Sequence, residues 1–369
     1  MSAYFHSYLC GREAAEWLIF MEKGVLIGMS GGVDSSVAAF LMGQQGFRCV
    51  GATMLLYGSD GRDARDAAAV AARLGMPHHM FSLQEDFEKQ VISKFVSAYE
   101  QGLTPNPCIE CNRCMKFGRL LELAHTLGCE YVASGHYARI RQDPQSGRFL
   151  LYKAADPGKD QSYFLACLSQ EQLKHIQFPL GELTKAEVRQ IAEDNGFVTA
   201  RKKDSQDICF VPDGDYGGFL QRYTGKTYPA GDYLDLRGNV VGRHQGAVRY
   251  TLGQRKGLGI ALGRPVYVCG KDMEKNTVTV GGNEALFSRS LRGNRWNWYP
   301  FPALPAPMRV TAKIRHSQLD FPALVTPETE GFARVDFDVP QRAVTPGQAV
   351  VLYQGDLVVG GGTITQAIS

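Results

Sequence analysis

The stretch Gly24-Val25-Leu26-Ile27-Gly28-Met29-Ser30-Gly31-Gly32-Val33-Asp34-Ser35-Ser36 decides the fold. Residues 24–29 form a short apolar run that reads as a buried strand, and Val37-Ala38-Ala39-Phe40-Leu41-Met42 reads as a helix ending at Gly43 or Gly46. Between them, glycines let backbone N–H groups face an anion at close range, and the helix N-terminus adds partial positive charge. Ser30, Ser35 and Ser36 bring hydroxyl donors. No Lys-Ser/Thr pair closes the turn, so transfer of a γ-phosphoryl group is not its natural chemistry. The plainer alternative is an ordinary strand-to-helix turn, which glycine and serine favour in any case.

Working outward, the pattern alternates. Cys49–Leu56 is a second apolar strand, Ala64–Leu74 a helix, Met80–Leu83 a strand and Phe87–Tyr99 a helix. Leu120–Leu127 is helical, Tyr131–Ser134 is the next strand, and Lys185–Asn195 is a helix opened by Thr184 with Glu187 at capping-box spacing. Strands and helices in alternation with short connections predict parallel βαβ units and an α/β sheet covered on both faces. Beyond about residue 212, glycine and proline punctuate short Val/Tyr/Thr-rich runs such as Val266-Tyr267-Val268 and Thr277–Val280. Phe301–Pro307 reads as a linker or loop before Arg309–Ile314, Ala333–Phe337 and Val350–Leu352. The expected organisation is an extension over 1–20, a nucleotide-binding domain over 21–212, a small mixed or β domain over 213–284 and a C-terminal β-barrel over 285–369.

Composition narrows the class. The 369 residues are 44% hydrophobic and 21% charged, which favours neither disorder nor a membrane protein. No apolar run approaches the roughly 18 residues of a spanning helix, and residues 1–20 lack the basic and apolar regions of a signal peptide. A cytoplasmic location without a membrane partner is expected. A net charge of +3 does not decide nucleic-acid binding.

Nine cysteines in such a chain are expected as free thiols, so their placement matters more than their number. Cys108, Cys111 and Cys114 recur in Asn106-Pro107-Cys108-Ile109-Glu110-Cys111-Asn112-Arg113-Cys114, and Cys209 follows far downstream in Asp204-Ser205-Gln206-Asp207-Ile208-Cys209-Phe210. Arg113, Lys116, Lys202 and Lys203 flank the two sites, and cations favour the reactive thiolate. Two separated cysteines suit a relay in which one carries sulfur and the other attacks it, leaving a disulfide. Cys114 reads as a spare thiol, and Cys10, Cys49, Cys129, Cys167 and Cys269 as core residues.

The turn at Gly28–Ser35 resembles the PP-loop of ATP pyrophosphatases. Together with Thr104–Phe117, Ser134–Arg139, Lys159–Leu165, Lys202–Phe210, Tyr250–Gly259 and Thr345–Gln348, in that order, the chain resembles the bacterial tRNA-specific 2-thiouridylases, the tRNA-uridine 2-sulfurtransferases, from Met21 onward. The resemblance implies ATP-dependent replacement of the 2-oxygen of the wobble uridine by sulfur. ATP would lie on Gly28, Met29, Ser30, Gly31, Gly32, Val33, Asp34 and Ser35, with Met54 and Gly135 lining the pocket and Asp34 helping to hold Mg²⁺. Taken alone, Met54 reads as core, and Gly135 as a place where adenosine approaches the backbone; His136 is equally a structural histidine.

The same resemblance makes Cys111 the nucleophile and Cys209 the persulfide carrier, and sets Asn106, Pro107 and Cys108 against the target base. The family's usual residue at the last position is Asp. That departure opens an alternative in which Cys108, Cys111 and Cys209 ligate a [4Fe–4S] cluster; zinc suits three clustered ligands less well. Lys159, Asp160 and Gln161 are implied as tRNA contacts, with Tyr163 and Phe164 supporting a stacked nucleotide, although alone they read as a solvated loop. Arg315 and His316, and the Gly253–Gly257 turn, are further phosphate-contact candidates. Sulfur would come from a cysteine desulfurase or a relay protein. Two rivals remain at this point: a small-molecule PP-loop ligase, and an RNA-binding protein with a metal-stabilised cysteine knuckle.

Overall fold

A computed structural model describes residues 23–58, 61–202 and 208–369. The expected extension at 1–20, with Cys10, and the Lys203–Asp207 part of the second cysteine motif lie outside them.

Strand β1 (Gly24–Gly28) is the centre of a five-stranded sheet in which β2 (Arg48–Leu55) and β3 (His78–Ser82) extend one side, β4 (Tyr131–Ser134) and β7 (Ile176–Gln177) the other. Every pairing in it is parallel. Val25, Leu26 and Ile27 are fully buried because helices cover both faces, each burial contributing roughly 1.5–3 kcal/mol. Val25 and Ile27 pack with helix α1 (Val33–Gln44), while Leu26 faces Phe117 and Leu120. The chain runs from β1 outward to β3 and then returns to β4 on the other side of β1. That reversal makes the carboxyl ends of β1 and β4 the switch point of the sheet, the place where open parallel sheets bind ligands.

Helix α1 begins at Val33 rather than Val37, so Asp34, Ser35 and Ser36 belong to its first turn. The expected helix at 87–99 is part of a longer run, Gln84–Glu100, with a π-helical stretch at Glu88–Ile92. The capping box at Thr184 and Glu187 forms as read, opening Lys185–Asp194.

The central sheet, of order β10-β11-β8-β9, is mixed, with β8 (Gly231–Leu234) parallel to β11 (Thr277–Gly281) and antiparallel to β9 (Val240–His244), while β10 (Tyr267–Asp272) runs antiparallel to β11. The C-terminal sheet, with β14 (Phe321–Pro327), β15 (Ala333–Arg342) and β16 (Ala349–Gln354), has the order β12-β15-β14-β13-β16-β17 and closes through β12 (Phe287–Trp298) on β17 (Leu357–Ile368), a six-stranded antiparallel barrel. Phe301–Pro307 is therefore a loop inside the barrel, between β12 and β13 (Met308–Lys313), not a linker ahead of it. A hairpin from the first domain, β5 (Arg139–Gln142) and β6 (Phe149–Tyr152), extends the barrel sheet where Tyr152 meets Leu357. The core follows: Leu26, Phe117 and Val132 share one cluster with the barrel residues Val351, Tyr353 and Val358.

Candidate active site

The phosphate turn is locked before any ligand is considered. Gly31 has φ of 69°, and a Cβ on it would lie 2.2 Å from the Asp63 carbonyl oxygen, so no other residue fits. Ser35 Oγ accepts from the Ser30 N–H at 3.2 Å and donates to the Gly32 carbonyl at 3.1 Å; Ser36 Oγ donates to the same carbonyl at 2.9 Å. The turn's own hydroxyls thus hold its shape. Met29 and Val33 are buried, so they offer only backbone to a ligand, whereas Ser30 is exposed and Gly32 caps the helix without a side chain. Lys202 braces the outside of the turn: its Nζ donates to the Gly31 carbonyl at 3.0 Å and to Asp63 and Asp66 at 2.7 Å each.

Asp34 projects from the first turn of α1. Lys185 Nζ donates to both carboxylate oxygens, and the Tyr137 hydroxyl donates to Oδ1 at 2.8 Å. Magnesium at nucleotides takes one or two carboxylates and completes its shell from phosphate oxygens and water; one carboxylate at a helix N-terminus fits that division of labour.

Gly135 follows β4, as read, but the backbone that approaches it is the protein's own. A Cβ there would sit 2.6 Å from the Asp34 carbonyl carbon and 2.7 Å from the Ser35 nitrogen. Met54 is half-buried, packed between two hydrophobic clusters that include Phe81.

The cysteine motif opens a helical run over residues 107–126. Asn106 caps it, its side chain accepting from the Cys108 N–H at 3.2 Å, and Pro107 occupies the first turn where its missing N–H costs nothing. Asn112–Arg119 is π-helical, and such turns leave carbonyls in need of partners. Gln172 Nε2 supplies two of them, donating to the Arg113 and Phe117 carbonyls at 2.8 Å. The barrel pins the entry to the run: the Thr104 N–H donates to the Pro346 carbonyl at 3.0 Å and Gln348 Nε2 to the Thr104 carbonyl at 2.8 Å.

Cys108 is exposed, Cys111 buried and Cys209 exposed, all three as free thiols. Cys209 is anchored by its neighbour Phe210, whose ring lies 5.2 Å from that of Phe95, in the same cluster as Cys111 and Met115. The three sulfurs sense one another. Burial pushes the Cys111 thiol up to about 12, with Lys116 pulling down and Cys209 and Cys108 pushing up. Desolvation likewise raises Cys209, assisted by Cys108 and opposed by Lys116. Among the described residues no three His, Cys, Asp or Glu side chains converge as a metal site. Cys114 sits partly covered on the same run beside Glu110, and Cys129 is buried; Cys49, Cys167 and Cys269 are only partly so.

The residues read as RNA contacts divide. Asp160 is not a surface contact: it is buried, its carboxylate accepting from the Ala154 and Ser162 N–H groups at 3.1 Å and from Ser162 Oγ at 2.8 Å. Gln161 Oε1 accepts from the Tyr137 N–H at 2.9 Å, holding the turn after β4. Arg315 is half-spent on a domain junction, donating to the Leu252 and Ala343 carbonyls at 3.1 and 3.3 Å and to Thr345 Oγ1 at 2.8 Å. Tyr163 cannot stack on a nucleotide, being fully buried, whereas Phe164 lies 4.3 Å from the His316 ring. Lys159 adjoins this turn, its backbone N–H on the Asp156 carbonyl. Gln254 folds its own turn through Thr251 and Lys256. Sequence reading missed Lys185, Lys202 as a brace, and Tyr137 as a partner of Asp34. For Lys185 the signal was a cation at the first position of a capped helix, where the dipole disfavours it.

Comparison with known proteins shows the family. Family profiles described as a tRNA methyl transferase HUP domain, a tRNA methyl transferase PRC-barrel domain and an aminomethyltransferase beta-barrel domain match residues 23–213, 217–282 and 288–364. The chain is 47% identical to the tRNA-specific 2-thiouridylase MnmA of Acetivibrio thermocellus, over 93% of this chain and 99% of that one. It is 48% identical to that of Symbiobacterium thermophilum over 94% and 93%, and 44% identical to that of Clostridioides difficile over 95% and 100%. A solved 4-thiouridine synthetase–RNA complex with bound ATP is 18% identical, covering 52% of this chain and 45% of that chain at a TM-score of 0.34. With near-complete coverage at such identity, the chain belongs to the tRNA-specific 2-thiouridylase family.

Proposed function

We propose that this protein uses ATP to thiolate the wobble uridine of tRNA at its 2-position. The observation that carries the reading is that Cys111 and Phe210, the residue directly after Cys209, pack in one buried cluster although their motifs lie almost a hundred residues apart in the chain. ATP lies along Gly28–Ser35, its phosphates on the turn's N–H groups and the end of α1. Asp34 would hold Mg²⁺, which offsets charge on the departing pyrophosphate.

The uridine, splayed out against Asn106, Pro107 and Cys108, attacks the α-phosphorus through its 2-oxygen, expelling pyrophosphate. An adenylated oxygen leaves readily, which a bare carbonyl does not. The outer sulfur of the Cys209 persulfide, loaded by a cysteine desulfurase or a relay protein, attacks the activated carbon and expels AMP. Cys111 thiolate then attacks Cys209 Sγ; the old S–S bond breaks with its electron pair going to the sulfur on the base. The products are 2-thiouridine and a Cys111–Cys209 disulfide, which an external dithiol reduces. RNA is held along the surface beside Lys159 and His316.

A small-molecule ligase, or the methyl transfer named in the family profiles, leaves both cysteines without a task. The test is Cys111→Ser and Cys209→Ser: each abolishes thiolation while tRNA-dependent pyrophosphate release continues. Full thiolation by either variant contradicts the reading. Among the described residues no helix is long and apolar enough to cross a membrane.

A further inference from the structure

The hydroxyls of the phosphate turn hold the Ser30 N–H and the Gly32 carbonyl. The peptide between Gly31 and Gly32 is not secured by these bonds. It joins two residues without a Cβ, one of them at positive φ, so its plane can turn over with little steric hindrance. Turned over, it would present a carbonyl oxygen to the phosphates in place of an N–H. Lys202 meets this peptide: Nζ lies 3.0 Å from the Gly31 carbonyl oxygen and 2.7 Å from a carboxylate oxygen of each of Asp63 and Asp66.

A trans peptide is planar, with its C=O and N–H on opposite edges. Because the Gly31 oxygen is drawn toward Lys202, the Gly32 N–H faces the other way, and among the described residues no protein group accepts from it. The same ammonium gathers two carboxylates from the first turns of the helix Arg62–Arg73 on its own side of the peptide, away from that N–H, and offsets part of their charge. Lys202 is itself held from behind. Ser36 and Thr199 share a buried hydrogen bond of 2.9 Å, and Arg189 donates to the Ala200 and Lys202 carbonyls at 3.2 and 3.5 Å.

We propose that Lys202 is a positioning residue for ATP: it fixes the Gly31–Gly32 peptide with its N–H toward the phosphates and its oxygen away from them, without itself touching the nucleotide. The proposal rests on the reading of this turn as the ATP site. A lysine suits the place, because its three N–H donors serve one carbonyl and two carboxylates at once. It also gives the first cation of the Lys202–Phe210 motif a task separate from that of Cys209. Sulfur chemistry needs the thiol, whereas the phosphate turn needs only a donor at its back.

The test is calorimetric titration of the full-length protein with a non-hydrolysable ATP analogue, inorganic pyrophosphate and adenosine. Lys202→Met is expected to weaken the analogue and pyrophosphate about tenfold, the size of one charge-assisted hydrogen bond, and to leave adenosine unchanged. Lys202→Arg restores most of the loss. Asp66→Asn, which keeps the donor to Gly31, lowers thermal stability but leaves all three affinities in place. Undiminished analogue affinity in folded Lys202→Met, or an equal loss for adenosine, overturns the proposal. Should that variant not fold, the Gly32 amide of wild-type protein carrying isotope-labelled glycine decides: its proton resonance is expected to move downfield on saturation with pyrophosphate, and an unmoved resonance overturns the proposal. Failure of the ATP-site reading itself is seen separately, as wild-type protein that binds neither the analogue nor pyrophosphate.

Discussion

Lys185 Nζ lies 2.7 and 2.8 Å from the two carboxylate oxygens of Asp34, so an ion pair closes the mouth of the phosphate turn. A bare carboxylate there would repel the phosphates that the helix N-terminus attracts. Paired with Lys185, the same carboxylate is neutralised, and a cation stands ready beside the turn.

Replacing Lys185 by Met is therefore expected to weaken ATP binding about tenfold or more, since a charge-assisted hydrogen bond is worth roughly 1.5–3 kcal/mol. Isothermal calorimetry with a non-hydrolysable ATP analogue checks this. Undiminished affinity would mean that the lysine only holds Asp34.

Gly135→Ala puts a Cβ within 2.7 Å of the Asp34–Ser35 backbone, which neither strand β4 nor helix α1 can yield cheaply. The expected loss of stability is about 1–3 kcal/mol, seen in chemical denaturation, with ATP binding lost alongside. An Ala variant as stable as the parent would show that the turn relaxes freely.

How far was this legible in the sequence? The strand, glycine turn and apolar helix at residues 24–42 announce themselves locally, because burial and turn chemistry act within a few residues. The cysteine motifs could be read as a pair from their chemistry. Pairing of Tyr152 with Leu357, which adds a hairpin of the first domain to the barrel, leaves no local mark. Nor do the partners of Lys185 and Lys202, since a lysine reads as a surface cation until the fold shows what it faces. Asp160 misled for the converse reason: a polar residue in a Lys-Asp-Gln run looks solvated, yet here it satisfies backbone N–H groups inside a turn.

The thiols set the pH response. With Cys111 raised from 9.0 to about 12 in the folded protein, the unfolded chain loses its proton first as pH rises. The folded state then binds more protons, so this contribution to stability is intact below pH 9.0 and is lost as pH climbs toward about 12. Sulfur transfer runs the other way, quickening with pH as thiolate forms. Denaturation at a series of alkaline pH values checks the first expectation: Cys111→Ala should flatten the decline, and an identical decline in that variant would refute it.

Arg315 ties Leu252 of the central domain to Ala343 and Thr345 of the barrel. Arg315→Ala is expected to cost about 2–4 kcal/mol through the unpaired carbonyls it leaves. The salt dependence of tRNA binding should keep its slope. A slope shallower by about one would instead mark a direct phosphate contact.

The central claim is that these thiols and this phosphate turn act on one base. Its most direct measurement is incubation of the protein with ATP, a cysteine desulfurase with its cysteine substrate, and unmodified tRNA, followed by nucleoside mass spectrometry. The account predicts a uridine heavier by roughly 16 dalton, the excess of sulfur over oxygen, appearing only when ATP is present. Unmodified uridine in the complete reaction, or a gain that does not need ATP, would contradict it.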